Sequence, residues 1–439
     1  MNKFVVVIIL LFACNAFAQE GYMGKEFWLT FPQNAKSGEN SATLDFRILI
    51  TSDKDVKGVI EEPHVKKTTP FSIMSGMKGS YYIHNVDTLN QIIENGVSDK
   101  AIHIKSDNPI SVVVLSHRKA STDSYMAIPV DKLGKTYVIA GYDKLGGRAI
   151  QSFRTQFDVI AIADNTNVKY ILQGDITNSA YTETISLSKG QVLHVNSGEL
   201  NIGLNDISGT TIVASNPVAV VSGHACAQIP ADVNFCDILM EMPPPNSALG
   251  TKFIVPKLAK RGGYALRIFA TVPNTKVIVS DGSFKTISVG EMYVNDHANT
   301  DLQIETSAPV LVAQYAQSSD ADTIKVADPF MMFVPPNDRY IKRTMFVVPK
   351  MGEGWEHWVS IVVPRSGISG VTLNSIPLKS SLFMEVAGDG YSVVQIMVQP
   401  GVEMITSTTP ITVYSYGYGF GGDAYDSYGH LCGQNLLPK

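Results

Sequence analysis

Two short runs in this sequence place an imidazole beside a thiol: Gly223-His-Ala-Cys226 and Gly429-His-Leu-Cys432. Together with Cys236, the side chains of His224, Cys226, His430 and Cys432 are the nitrogen and thiolate donors that zinc takes in tetrahedral sites. Oxidation competes with that chemistry. In an oxidising compartment Cys226 and Cys236 pair as a disulfide around Pro230, and no thiolate remains there for a metal. The disulfide is the preferred expectation, and no cofactor is expected. Cys432 is then odd, either a free thiol or half of a bridge to another chain.

Acidic residues gather at Asp320, Asp322 and Asp328, and again at Asp423 and Asp426. Paired carboxylates serve glycosidases and bind calcium, but these lack the regular spacing of a calcium loop. Aromatics crowd the end of the chain: Tyr414, Tyr416, Tyr418, Phe420, Tyr425 and Tyr428, interleaved with Gly and Ser. Tyrosine presents rigid apolar area with a polar tip, which suits recognition of protein or glycan. Tyr416, Tyr418, Phe420, Tyr425 and Tyr428, with Asp320 and Asp322, are therefore the candidate binding residues. The alternative is that alternate tyrosines of a strand from Thr412 to Tyr418 pack against a neighbouring strand. Gly417-Tyr-Gly-Phe-Gly-Gly422 satisfies a dinucleotide fingerprint literally, yet no helical pattern follows it. With no G-x-S-x-G elbow, H-E-x-x-H or Walker loop in the chain, a non-catalytic binder is expected and a carbohydrate-active enzyme is the alternative.

The start of the chain has the pattern of an export signal: Lys3, an apolar run from Phe4 to Phe12, and Ala16-Phe17-Ala18 as a cleavage site. Residues 1–18 are read as a signal peptide and 19–439 as the exported domain, secreted or at the cell surface. No later run reaches the length of a spanning helix. Charged residues make up 17% of the chain and the formal net charge is −5, without a basic stripe to neutralise phosphates. Nucleic acid is excluded as a partner, which leaves an extracellular protein or glycan.

The elements that would position these residues are strands. Short stretches rich in Val, Ile, Phe, Tyr and Thr alternate with period two between Gly, Pro, Asn and Asp. One short helix is expected from Thr88 to Asn95, capped by Asp87. A strand, a Ser/Thr-x-Pro corner and a second apolar strand recur around Pro109, Pro217, Pro309 and Pro410, a period of roughly 100 residues. A second half-unit recurs as Lys252–Pro256 with Tyr264–Ala270, as Thr344–Pro349 with His357–Val363, and as Glu26–Pro32 with Leu44–Ile50. The N-terminus thus resembles a second half without a first, and the C-terminus a first half without a second. The expected architecture is all-β: four units, the fourth shared between the two termini, closed as a propeller-like ring. Tandem β-sandwiches are the alternative.

Several of these runs resemble a known family. Ser222-Gly-His-Ala-Cys-Ala-Gln-Ile-Pro230, Phe235-Cys-Asp-Ile-Leu239, Met242-Pro-Pro-Pro245 and Leu249-Gly-Thr-Lys-Phe-Ile-Val-Pro256 are similar to the core of the N-terminal domain of IgGFc-binding proteins. The opening Gly24–Phe31 and the closing Asp426–His430 fit the same pattern. The resemblance implies a secreted or surface domain with a recognition or adhesion role. Fc binding is credited to the vertebrate namesake, and no motif carries it to particular residues here.

Overall fold

The computed structural model describes residues 21–34, 44–75, 81–87, 93–142, 154–173, 181–197, 206–386, 388 and 390–436. The expected signal peptide lies outside them, as do residues 88–92 of the expected helix; the following Gly96–Ser98 is a strand. Every described element is a strand or a short 3-10 turn, and no described helix could cross a membrane.

Four sheets of seven or eight strands follow one another along the chain. The third shows the plan. One long strand, Leu302–Ala316, runs through the whole sheet. Gly250–Val255 and Thr275–Val279 flank its first half, while Tyr264–Ala270 and Met331–Phe333 flank its second half. Phe284–Ile287 and Met292–Ala298 then extend the two halves outward. The sheet therefore curls around one shared strand. Ile102–His117, Thr211–Ala227 and Gly401–Tyr418 are the long strands of the other units.

The corner prolines explain the curl. Each strand-corner-strand run is one continuous strand, and Pro109, Pro217, Pro309 and Pro410 lie where its register slips between the two half-sheets. In the third unit the pairing of Gly250 with Val310 gives way to that of Lys252 with Glu305. Comparable slips flank Pro109, Pro217 and Pro410. A residue without an N–H disrupts a regular ladder but is tolerated in such a bulge, where the strand bends and twists more sharply.

The expected exchange between the termini is not formed. Gly24–Leu29 pairs with Ile102–His117 of its own unit, so the first unit opens the chain complete. The expected repeat is correct in period and wrong in phase: each unit begins with the half that the sequence pattern places second. The two ends still approach, because a Cβ on Gly433 would lie 3.2 Å from the Tyr22 nitrogen. A graft between neighbours does occur elsewhere, where Gly96–Ser98 pairs with Val192–Asn196 of the second sheet.

Between units the chain turns through Pro129, Pro245 or Pro336, each followed by one 3-10 turn. These prolines pack on the glycine that opens their own unit. A Cβ would stand 2.2 Å from Pro129 if built on Gly24, 2.3 Å from Pro245 on Gly134, and 2.5 Å from Pro336 on Gly250. Glycine is there because two backbones must approach, and the contact ties the end of a unit to its beginning. In the fourth unit Ile341 takes the glycine position opposite Ile411.

Each unit finishes with a short strand beside the second half of its long strand: Asp123–Met126, Asp237–Glu241, Met331–Phe333 and Ser427–Leu431. These four central strands touch in cyclic order, the last against the first.

Candidate functional site

The central strands meet at one carboxylate. Ser124, Met240, Met331 and Gly429 occupy equivalent positions, opposite Leu115, Gly223, Tyr315 and Tyr416. The backbone N–H groups of all four donate to Asp123. Its Oδ1 accepts from Ser124 at 2.8 Å and Gly429 at 3.1 Å. Its Oδ2 accepts from Met240 at 2.9 Å and Met331 at 3.3 Å. Burial raises the Asp123 carboxyl well above its ordinary range, while these four donors pull the other way. One side chain thereby satisfies the equivalent backbone donor of every unit.

A second group of acids lies at the start of the central strands. Burial pushes Asp237 up, helped by Asp426, Asp328 and Asp123. Burial likewise pushes Asp328 up to about 6 and Asp426 up to about 7. Asp426 accepts from Thr122 Oγ1 at 2.7 Å and from the Ala120 N–H at 3.1 Å, bonds that join the fourth unit to the first. Clustering of acids in the sequence singled out Asp328 and Asp426 but not Asp237. Their convergence from distant positions is a tertiary fact.

The loops that enter the central strands form the exposed cluster beside these acids. Each contains a non-glycine residue in the left-handed region: Ala120 at φ 60°, Phe235 at 67°, Lys325 at 30° and Tyr425 at 70°. Such backbones are uncommon outside glycine and persist only where the surroundings hold them. Here the Tyr425 N–H donates to Val326 O at 2.6 Å, the Ser318 N–H to Ile229 O at 2.7 Å, and Asn234 Nδ2 to Asp320 Oδ2 at 2.8 Å. The Cys226–Cys236 disulfide closes the loop of the second unit. On this frame Phe235 and Tyr425, from different units, stack with centroids 5.0 Å apart and planes 16° apart. They remain 45% and 37% exposed.

Tyr425, Phe420 and Asp320 of the expected binding residues are at least partly exposed in this cluster. The other four are not. Tyr416, Tyr418 and Tyr428 are buried, because they alternate along strands whose faces are covered by the third unit and by the fourth unit's own chain. The Ala259 N–H donates to the Tyr416 hydroxyl at 3.1 Å, Tyr418 donates to Ala259 O at 3.1 Å, and Tyr428 contacts His357 Nδ1 at 2.9 Å. Asp322 is buried too, paired with Arg261 and accepting the Gly262 N–H at 2.8 Å.

The imidazole-thiol pairs do not form one centre. His224 lies on the second unit's long strand and accepts the Cys226 N–H at 3.0 Å, whereas His430 lies on the fourth unit's central strand, 2.7 Å from Ser124 Oγ. Burial holds both down to about 3, so both are neutral. Cys432 is wholly buried, so a bridge to another chain is not compatible with this fold. Among the described residues no three His, Cys, Asp or Glu side chains group as metal ligands. Phe235 was missed in the sequence because a lone Phe before a Cys carries no signal of exposure.

The architecture defines a repeat-built all-β protein. The chain belongs to the IgGFc-binding protein family: the family model described as IgGFc binding protein matches residues 123–417. The human IgGFc-binding protein is 24% identical over 347 residues, which cover 77% of this chain and 6% of that protein's length. Likeness to two solved structures is slight. A tetra-tandem repeat from the extending region of a large adhesion protein is 11% identical over 88% of this chain and 93% of its own, with a TM-score of 0.10. The E. coli alpha-2-macroglobulin is 8% identical over 94% of this chain and 34% of its own, with a TM-score of 0.13. Neither score carries a structural argument.

Proposed function

We propose that this chain is an extracellular recognition module whose four units close into a propeller-like ring and present the entry loops to a protein or glycoconjugate. The observation that carries the reading is the stacked, exposed Phe235–Tyr425 pair on left-handed backbones from two units. An ordinary surface turn gains nothing by holding two aromatic rings in this way, whereas rigid aromatic anchors lose little entropy on binding. The cyclic contacts of the central strands support the ring, and the disulfide, with the signal-like pattern of residues 1–18, supports the location. A carbohydrate-active enzyme is disfavoured, since Asp237, Asp328 and Asp426 are buried and Asp426 is engaged in joining the fourth unit to the first.

The name of the human relative makes the Fc fragment of immunoglobulin G the first protein ligand to try, beside a panel of extracellular glycoproteins. Immobilised mature protein should capture at least one of these, and capture should fall about tenfold in a Phe235→Gly/Tyr425→Gly variant, the loss of roughly 1.4 kcal/mol. Capture that is indifferent to both residues would remove the entry loops from recognition.

A further inference from the structure

We infer that the Phe235–Tyr425 pair is a stacking platform for a pyranose ring, so that the ligand of the entry loops is the glycan of a glycoconjugate. The inference rests on the recognition reading and names the chemistry of its ligand.

Area argues first. A whole aromatic side chain covers roughly 150–250 Å². At 45% and 37% exposure the two rings together offer on the order of 150 Å². That falls far short of the apolar centre of a protein interface, which buries about 1,200–2,000 Å² in total. One sugar face is a much closer match.

The surroundings argue next. Among the described residues of the entry loops, no other large apolar side chain is as exposed: Val233, Ile324, Val326 and Phe420 are half-buried, and the other exposed side chains are the polar Lys119, Asp232, Asn234, Asp320, Thr323 and Lys325 and the small Ala120. A protein hot spot sits within further apolar contacts that keep water out. A sugar needs the opposite, an aromatic face for its C–H groups and oriented polar atoms for its hydroxyls. Asn234 and Asp320 provide the second part already ordered, because the Asn234 amide donates to one Asp320 oxygen and Lys325 Nζ holds the Asp320 carbonyl at 2.7 Å. The near-parallel stack takes up one face of each ring, and the exposure that remains on both is aromatic surface available to a sugar.

Saturation-transfer NMR with glucose, galactose, mannose and N-acetylglucosamine oligosaccharides tests this directly. Ring C–H protons of at least one oligosaccharide should receive saturation from the mature protein, and affinity should fall about tenfold in Phe235→Gly and in Tyr425→Gly. Glycine suits both left-handed backbones, so these variants should unfold at the parental midpoint or above it, and a loss of binding then cannot be ascribed to misfolding. Asn234→Ala should weaken binding without touching the stack. No saturation of any oligosaccharide at millimolar concentration, or binding unchanged in both glycine variants, overturns the inference. Capture of a glycoprotein before and after enzymatic deglycosylation separates the two levels. Capture that depends on Phe235 and Tyr425 yet survives deglycosylation sinks the glycan and keeps the recognition face; capture independent of both residues sinks the two together.

Discussion

Asp123 shows how much one residue decides in this molecule. Its equivalents in the other units are Leu239, Phe330 and Tyr428, one position before the N–H donors that Asp123 accepts. Only one acid is needed, because two carboxylate oxygens suffice for four convergent donors. Asp123→Asn keeps the shape but turns an NH₂ group toward N–H donors. It should destabilise the protein by roughly 2–5 kcal/mol, since buried donors lose their acceptor. Urea unfolding measures this, and an unchanged midpoint would show that the four N–H groups are satisfied in some other way. Nothing in the sequence marked Asp123. Its importance comes from donors at positions 240, 331 and 429, which only the closed fold brings within reach.

At the scale of elements, the long strand and the glycine-proline contact make each repeat a unit. Gly250→Ala places a methyl group 2.5 Å from Pro336, and neither proline nor strand can retreat without disturbing the junction. A loss of about 1–3 kcal/mol is expected, as for other overpacked sites. Pro217→Ala should cost less, about 0.5–1 kcal/mol, because the bulge asks no N–H of this residue and the effect comes mainly from the unfolded chain. Thermal unfolding of the two variants side by side checks the order, and a larger loss for Pro217→Ala would reverse the argument. Reducing the Cys226–Cys236 disulfide should loosen the loop that carries Phe235 while leaving the sheets intact. Faster amide exchange confined to residues 228–236 is the expected outcome.

For the whole molecule, the acids beside the central strands set an unusual dependence on pH. Asp328 is pushed up to about 6 and Asp426 up to about 7, above the ordinary carboxyl value near 3.9 in an unfolded chain. Between those values the folded state binds more protons than the unfolded state. The stabilising contribution is therefore complete below about pH 4 and is lost as pH rises through 6 to 7. Glu62 works in the opposite sense: despite desolvation, its bonds to His84 and Lys67 hold its carboxyl low, so its contribution is lost only as pH falls further. The contribution of these two acids should thus decline between pH 5 and pH 8, by an amount of order several kcal/mol, while the buried neutral His224 and His430 work against it by adding stability as pH rises toward 6.5. Asp426→Asn should flatten that decline. A stability difference between parent and Asp426→Asn that grows in the parent's favour over the same interval would contradict the proposed environment of Asp426.

The sequence by itself determined the strand content, the period of the repeat, the disulfide and the family. Each of these rests on local pattern or on residues close together in the chain: alternation between turn residues, four Ser/Thr-x-Pro corners, and Cys226 near Cys236. It could not determine the phase. A periodic sequence can be divided anywhere, and only the pairing of Gly24–Leu29 with Ile102–His117 shows where a unit begins. Tertiary structure also decided which aromatics face solvent. Tyr416, Tyr418 and Tyr425 share a composition and a neighbourhood in the chain, yet the third unit covers the first two, and a left-handed turn lifts the third toward Phe235. Exposure depends on what the rest of the chain packs against a residue, and for a strand whose neighbours come from other units that information is not local.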